Sequence, residues 1–213
     1  MNVTVFGATG AIGQLIVDQL LRQGENVTAY ARNAAKVPGR WDGSVNVVIG
    51  AITDVTAIDA AVAGADAVVS ALGPSMDRNA TGLPLVDGTR LIVASMKRHG
   101  IRRYVGNGTP SVLDQRDEVT MQTRLVGWMA QTFLPRAYRE MIGMSRIITE
   151  SGLDWTIVRF IAPKNGPATG IVRAGFFGKD KIGWGITRGD IAAFTTDQIS
   201  SPQYSRAAPA VSN

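Results

Sequence analysis

Short apolar runs alternate with amphipathic stretches along most of this chain. Asn2-Val3-Thr4-Val5-Phe6 reads as a buried strand, and Asn26-Val27-Thr28-Ala29-Tyr30-Ala31 as a second one. Between them Ile12, Leu15, Ile16 and Leu20 recur at helical spacing, and Gly24 ends that helix. Residues 33–44 form a helix-poor connection. Further strands are predicted over 45–49, 66–70, 103–106 and 153–159. Helices are predicted over 54–63, where Thr53-Asp54 signals the start, and over 82–99, 125–133 and 137–151, with Pro135 separating the last two. Repeated strand and helix alternation means an α/β fold: a doubly wound parallel sheet with helices on both faces. A chain of 213 residues suffices for one well-buried domain and is too short for two ordinary ones. The expected division is a single domain over 1–199 with a small C-terminal lobe for a substrate. The Ser/Pro/Ala-rich segment 200–213 has little periodicity and is expected to be loosely held.

The first strand runs directly into Gly7-Ala8-Thr9-Gly10-Ala11-Ile12-Gly13. In such a turn Gly7 allows a tight exit from the strand, Gly10 lets backbone approach a diphosphate, and Gly13 lets the helix pack closely on the sheet. The N–H groups of the first helical turn, at Ala11 and Ile12, face an anion together with the positive end of the helix dipole, and the Thr9 hydroxyl adds a donor. This is the Rossmann-like arrangement for a dinucleotide. At the tip of the second strand an acidic residue would accept from a free ribose 2′-hydroxyl, but Arg32 stands there. A guanidinium pairs with a 2′-phosphate and stacks on adenine, and Lys36 adds charge one turn later. The expected cofactor is therefore NADPH/NADP in preference to NAD.

Composition removes other chemistries. The chain has no cysteine, which excludes disulfides, thiolate nucleophiles and cysteine-ligated metal, and its one histidine leaves little for a transition metal. No metal site is expected. His99 lies in Lys97-Arg98-His99-Gly100, the predicted end of a helix, where a cation meets the negative dipole end and Gly100 supplies the cap. The charge balance, 22 Lys+Arg against 17 Asp+Glu, is basic but scattered. Without interleaved aromatic residues it argues against nucleic acid and suits a protein that handles anionic cofactors. No segment is long and apolar enough to span a bilayer, and the first strand opens without a basic leader. The expectation is a cytoplasmic protein with a small-molecule substrate, no nucleic acid and no membrane, and with its oligomeric state open.

The strand over 66–70 exits into Ala71-Leu72-Gly73-Pro74 at the carboxyl edge of the sheet, where ligands bind in open α/β folds. Residues 107–118 leave the same edge, so Thr109 and Ser111 either point hydroxyls at a nicotinamide or bond to their own backbone as loop-forming residues. Tyr138 is a candidate proton donor or a half-buried surface tyrosine. Trp128, Met129, Phe133 and Met141 are expected in the core. Phe176, Phe177 and Trp184 stand in a Gly-rich segment where stacking on a planar substrate is one reading.

Several motifs in order carry a resemblance. Beside the glycine turn they are Ala31-Arg32-Asn33, Ser70-Ala71-Leu72-Gly73, residues 99–105, residues 151–159 (Ser-Gly-Leu-Asp-Trp-Thr-Ile-Val-Arg), residues 165–170 and residues 186–194. On these the chain resembles the atypical short-chain dehydrogenase/reductase superfamily, in the NAD(P)-binding branch of NmrA-like proteins and biliverdin IXβ/flavin reductases. The resemblance covers residue 2 to about 199. It implies that Leu72 and Gly73 contact the cofactor, that Gly108 and Thr109 flank the nicotinamide, and that Ile161 and Ala162 close over it. It also implies a planar conjugated hydride acceptor such as a flavin, quinone or linear tetrapyrrole, and a final edge strand in the tail. Two departures matter. Gly50-Ala51 replaces the Gly-Asp common in the family, which removes a carboxylate near adenine, while Ile52 remains to pack on the ring. The Tyr-x-x-x-Lys pair is absent, since Tyr138 is followed four residues later by Ile142.

Without a nearby cation a phenol near its ordinary pKa is a poor base, which disfavours simple alcohol oxidation. A conjugated acceptor asks less, because positioning supplies the rate and solvent supplies the proton. The leading expectation is an NADPH-dependent reductase of such an acceptor. Its alternatives are an NmrA-like sensor that binds NADP without turnover, and a reductase or isomerase dedicated to one metabolite.

Overall fold

The computed structural model describes residues 1–75 and 81–213. An eight-stranded sheet runs in the order β3-β2-β1-β4-β5-β6-β10-β8. Its strands are β1 (Asn2–Phe6), β2 (Asn26–Ala31), β3 (Val45–Ile49), β4 (Ala67–Ser70), β5 (Arg103–Gly108), β6 (Asp154–Arg159), β8 (Arg173–Gly175) and β10 (Ala210–Ser212). Neighbours from β3 to β10 pair in parallel, and β8 pairs antiparallel with β10. A separate parallel pair joins β7 (Ala162–Lys164) to β9 (Gly185–Thr187). The helices are α1 (Ala11–Arg22), α2 (Val55–Val62), α3 (Pro84–Arg98), α4 (Met121–Phe133), α5 (Pro135–Thr149) and α6 (Arg188–Asp197).

Alternation along each strand sends side chains to two cores. Val3, Val5, Val69, Val105 and Val158 face the side covered by α1 and α6, with Ile16, Leu20 and Ile191 packed on them. Phe6, Tyr30, Val68, Tyr104 and Ile157 face the opposite side, where Ile58, Ile92, Met96, Met141 and Ile148 come from α2, α3 and α5. Both faces of the parallel sheet are buried, as the sequence pattern requires. Among the described residues no helix is long and apolar enough to cross a membrane.

Three readings are corrected. The segment 200–213 is not loosely held: β10 lies inside the sheet between β6 and β8, and Ala207, Ala208, Ala210, Val211 and Ser212 are buried. Ile157 and Arg159 donate their N–H groups to Ala207 and Pro209 carbonyls, at 3.0 and 2.8 Å. A three-residue strand of small side chains buried on both faces leaves no periodic signal, and the edge strand is β8. Trp128, Met129 and Phe133 are exposed rather than in the core, while Met141 is buried as expected. Pro135 is the first residue of α5, where its missing N–H costs nothing.

Buried polar residues tie the C-terminal third to the sheet. The fully buried Asp190 carboxylate accepts from Thr169 N and Oγ1, Gly170 N, Thr187 Oγ1 and Asn213 Nδ2. Burial works to raise its pKa, but the hydrogen bonds from Thr187, Thr169 and Gly170 outweigh it and hold the carboxyl below the ordinary value. A carboxylate lowered in the folded state contributes stability above its unfolded pKa, about 4, and that contribution is lost as pH falls through the folded value. Asp190→Asn is expected to cost about 1–3 kcal/mol at neutral pH. Urea unfolding as a function of pH checks this: the acid decline below about pH 4 should be shallower in the variant than in the parent protein.

Candidate active site

The carboxyl ends of β1 and β4 meet where the sheet order reverses, the point at which open α/β folds hold ligands. Gly7 sits there with φ +73°, and a Cβ on it would stand 2.9 Å from both Ala71 C and Leu72 N. A Cβ on Gly13 would overlap the Gly7 carbonyl and lie 2.9 Å from Ala8 Cα. Gly10 is different: its Cβ would meet only Gly7 O, at 3.2 Å, and would otherwise point into open space. Gly10 N donates to Gly7 O at 3.0 Å, and the first bond of α1 runs from Gln14 N to Gly10 O at 2.9 Å. The N–H groups of Ala11, Ile12 and Gly13 have no acceptor among the described residues. The first turn carries no acid and no side-chain cap. The Thr9 hydroxyl is also without a partner among the described residues. The outcome is a seat of unpaired donors at the positive end of a 12-residue helix.

Arg32 and Lys36 lie just beyond β2, both exposed, and their side chains make neither ion pair nor hydrogen bond among the described residues. By contrast Arg40 is held by Asp18 at 2.8 Å and Arg98 by Asp59 at 2.5 Å. Ile52 is half-buried against α3, where a Cβ on Gly88 would lie 2.9 Å from its carbonyl oxygen. At Ala51 it is the backbone that is engaged: Tyr30 Oη donates to the Ala51 carbonyl at 2.7 Å. Burial, and next the charge of Asp54, push the Tyr30 phenol up to about 12, so it stays a donor. A groove of about 350 Å³ opens beside the first turn of α1, lined by Ala11, Gln14, Leu15, Arg40, Pro167 and Arg188 among others. A larger depression of about 530 Å³ lies at the amino ends of β1–β3, away from every candidate residue.

Gly108 and Thr109 reach the same carboxyl edge at the end of β5. Phe160 N donates to Gly108 O at 3.3 Å, which brings Ile161 and Ala162, after β6, to that edge. Leu72 and Gly73 follow β4 there. The hydroxyls of Thr109 and Ser111 make no hydrogen bond among the described residues, so the self-bonded loop reading is not what the structure shows; the turn is closed by Val112 N on Thr109 O at 3.0 Å. Tyr138 stands in the first turn of α5, half-buried, its hydroxyl likewise unpartnered and unconnected to either. Among the described residues no group of three or more His, Asp or Glu side chains is arranged to hold a metal.

Sequence reasoning missed two features of this edge. Arg159 is fully buried and bidentate to Asp117, at 2.6 and 2.8 Å, and also donates to Val112 O at 2.8 Å. Asp117 Oδ1 accepts from Phe177 N, and the Phe177 ring covers the guanidinium at 4.7 Å. This clamp fastens the loop that carries Thr109 and Ser111 to the end of β6 and to the C-terminal lobe. Phe177 is thereby packed on Arg159, and Phe176 packs on Arg116 and Tyr204, which leaves Trp184 as the exposed aromatic of that segment. The second feature is Asn107, on the α1 side of β5 one position beyond Gly106. Its Oδ1 is buried without a partner.

Residues 7–202 match the model of a family described as NAD(P)H-binding. The chain belongs to that NAD(P)H-binding family. Among its relatives, 3-diazoavenalumate denitrifying reductase from a Streptomyces species is 28% identical over 193 residues, 82% of this chain and 60% of that protein. A yeast relative from Saccharomyces cerevisiae, UPF0659 protein YMR090W, is 26% identical over 95% of this chain and 88% of its own length. The chain thus spans less than two thirds of the Streptomyces reductase. Solved structures share the fold. An anaerobilin reductase from Escherichia coli O157:H7 superposes with a TM-score of 0.79 at 20% identity, covering 99% of this chain and 96% of that one. A short-chain dehydrogenase/reductase from Veillonella parvula in complex with NADP gives 0.80 at 20% identity over 100% and 94%.

Two substitutions test the seat. Gly13→Ala forces a methyl into the Gly7 carbonyl and is expected to lower unfolding free energy by about 1–3 kcal/mol, read by urea titration. Arg32→Asp should leave stability unchanged and weaken NADPH binding by about tenfold or more while changing NADH binding little, read by fluorescence titration. Equal loss of both would remove Arg32 from the 2′-phosphate.

Proposed function

We propose that this protein is an NADPH-dependent reductase that passes hydride to a small planar conjugated acceptor of flavin, quinone or linear tetrapyrrole type. The observation that carries the reading is a carboxyl edge with a dinucleotide seat but, among the described residues, no tuned proton relay. The turn of Gly7, Gly10 and Gly13 brings the diphosphate onto the backbone donors of Ala11, Ile12 and Gly13 and the Thr9 hydroxyl, and Arg32 with Lys36 meets the 2′-phosphate. Ile52 packs on adenine. Leu72, Gly73, Gly108, Thr109, Ile161 and Ala162 enclose the nicotinamide end. When bound, NADPH supplies two electrons and a proton's mass as hydride and leaves as NADP⁺.

The protein's own part is orientation and exclusion of water, which fits an acceptor whose conjugated ring takes the electron pair and draws its proton from solvent. Thr109, Ser111 and Tyr138 offer unpartnered hydroxyls to orient the acceptor or hand on that proton. None has a lysine four residues away that would turn it into a base, so alcohol oxidation is the weaker reading. The names of the Streptomyces and Escherichia coli relatives, both reductases, support the class.

The test is steady-state loss of reduced-nicotinamide absorbance with FMN, menadione and biliverdin offered in turn. Sustained oxidation with at least one acceptor is expected, with kcat/KM falling by about tenfold or more in Gly10→Asp, whose carboxylate would occupy the anion seat. Tight NADPH binding with no turnover on any acceptor would overturn the reductase reading in favour of a sensor or a dedicated-substrate enzyme.

A further inference from the structure

α4 is built inside out. Its half-buried residues are small or polar: Thr123, Val126, Gly127 and Ala130. Its large apolar residues face solvent, with Met121, Leu125, Trp128, Met129 and Phe133 at 89, 56, 56, 47 and 67% exposure. Spacings of four, three, one and four residues place these five on one stripe of the helix. Val119 before the helix and Leu134 after it are exposed apolar residues too, at 67 and 44%. Helix α5 behaves conventionally by comparison, burying Met141, Met144 and Ile148.

The size and chemistry of the stripe decide what covers it. Large side chains carry roughly 150–250 Å² each, so the seven residues leave on the order of 800 Å² of apolar surface open, more than the largest patch of an ordinary monomer and close to one partner's share of a standard protein interface. A helix face is convex, whereas small-molecule sites are concave. A lipid-surface helix carries many cations on its polar side, but Arg124 is the one charged residue from Met121 to Phe133. Trp, Phe, Met and Leu with charge depleted is the composition of a homodimer core. Trp128 and Phe133 already meet edge to face at 6.2 Å, which fixes an aromatic anchor near the centre of the stripe.

We infer that α4 is the contact face of a homodimer and packs on α4 of a second copy about a two-fold axis. Such an interface is isologous, each stripe lying on its own image. α4 connects the loop bearing Thr109 and Ser111 to the helix bearing Tyr138. Pairing therefore holds both sides of the acceptor end of the site.

Light scattering on a sizing column and sedimentation velocity test the inference without cofactor, so its failure leaves the reductase reading untouched. The expected result is a particle of twice the 22.6 kDa chain mass. Trp128→Glu should raise the dimer dissociation constant at least about thirtyfold, as loss of an aromatic anchor does, with an unchanged far-ultraviolet circular dichroism spectrum. Arg90→Glu, on the exposed side of α3, should leave the mass unchanged. A monomeric parent protein at about 100 µM, where weak dimers are populated, would overturn the inference. So would a dimer that survives both Trp128→Glu and Phe133→Glu. A monomer that pellets with phosphatidylglycerol vesicles through Trp128 would overturn it in favour of a lipid surface.

Discussion

No side chain fits between the first turn of α1 and the carbonyl of Gly7, and most of the site depends on that closeness. A Cβ at Gly13 has nowhere to go, and a Cβ at Gly7 would press on the backbone joining β4 to Leu72. These two contacts set the helix at the end of β1 and bring the β4 exit alongside it. The N–H groups of Ala11, Ile12 and Gly13 are then left facing the point where the sheet order reverses. Free donors at a helix start are tolerable in solvent and favourable beside an anion. The use proposed for them is the diphosphate of the dinucleotide.

The far side of the edge is fixed by different means. Arg159 and Asp117 are removed from water together, and their bidentate attraction, with Val112 O and Phe177 N as further partners, offsets that desolvation, while Arg159 Nε stays buried without a partner among the described residues. Asp190 does the same for residues 169–170, α6 and the C-terminal Asn213. The two carboxylates tie these loops to the sheet, while the hydroxyls of Thr109, Ser111 and Tyr138 have no protein partner among the described residues. An edge that is firmly placed but carries, among the described residues, no paired acid and base suits chemistry limited by orientation.

The sequence made the nucleotide half readable because its signals are local. A glycine turn, a strand tip and a helix cap each lie within a few residues, and their order along the chain reveals a parallel sheet. The acceptor half depends on partners far apart in sequence. Nothing near Arg159 announces Asp117, 42 residues earlier. Phe177 then reads as a free aromatic although it covers a guanidinium. β10 escaped notice because three small residues buried on both faces show no alternation. In α4 the periodicity marks an apolar stripe but not which side of the helix meets the body, so Trp128 and Phe133 pass for core.

A crystal structure of the protein with NADP⁺ tests the central claim most directly. The account predicts the diphosphate within hydrogen-bond distance of the Ala11 and Ile12 amides, the 2′-phosphate facing Arg32, and the nicotinamide between Leu72 and Thr109. A dinucleotide seated elsewhere, or a 2′-phosphate pointing away from Arg32 into solvent, would contradict it.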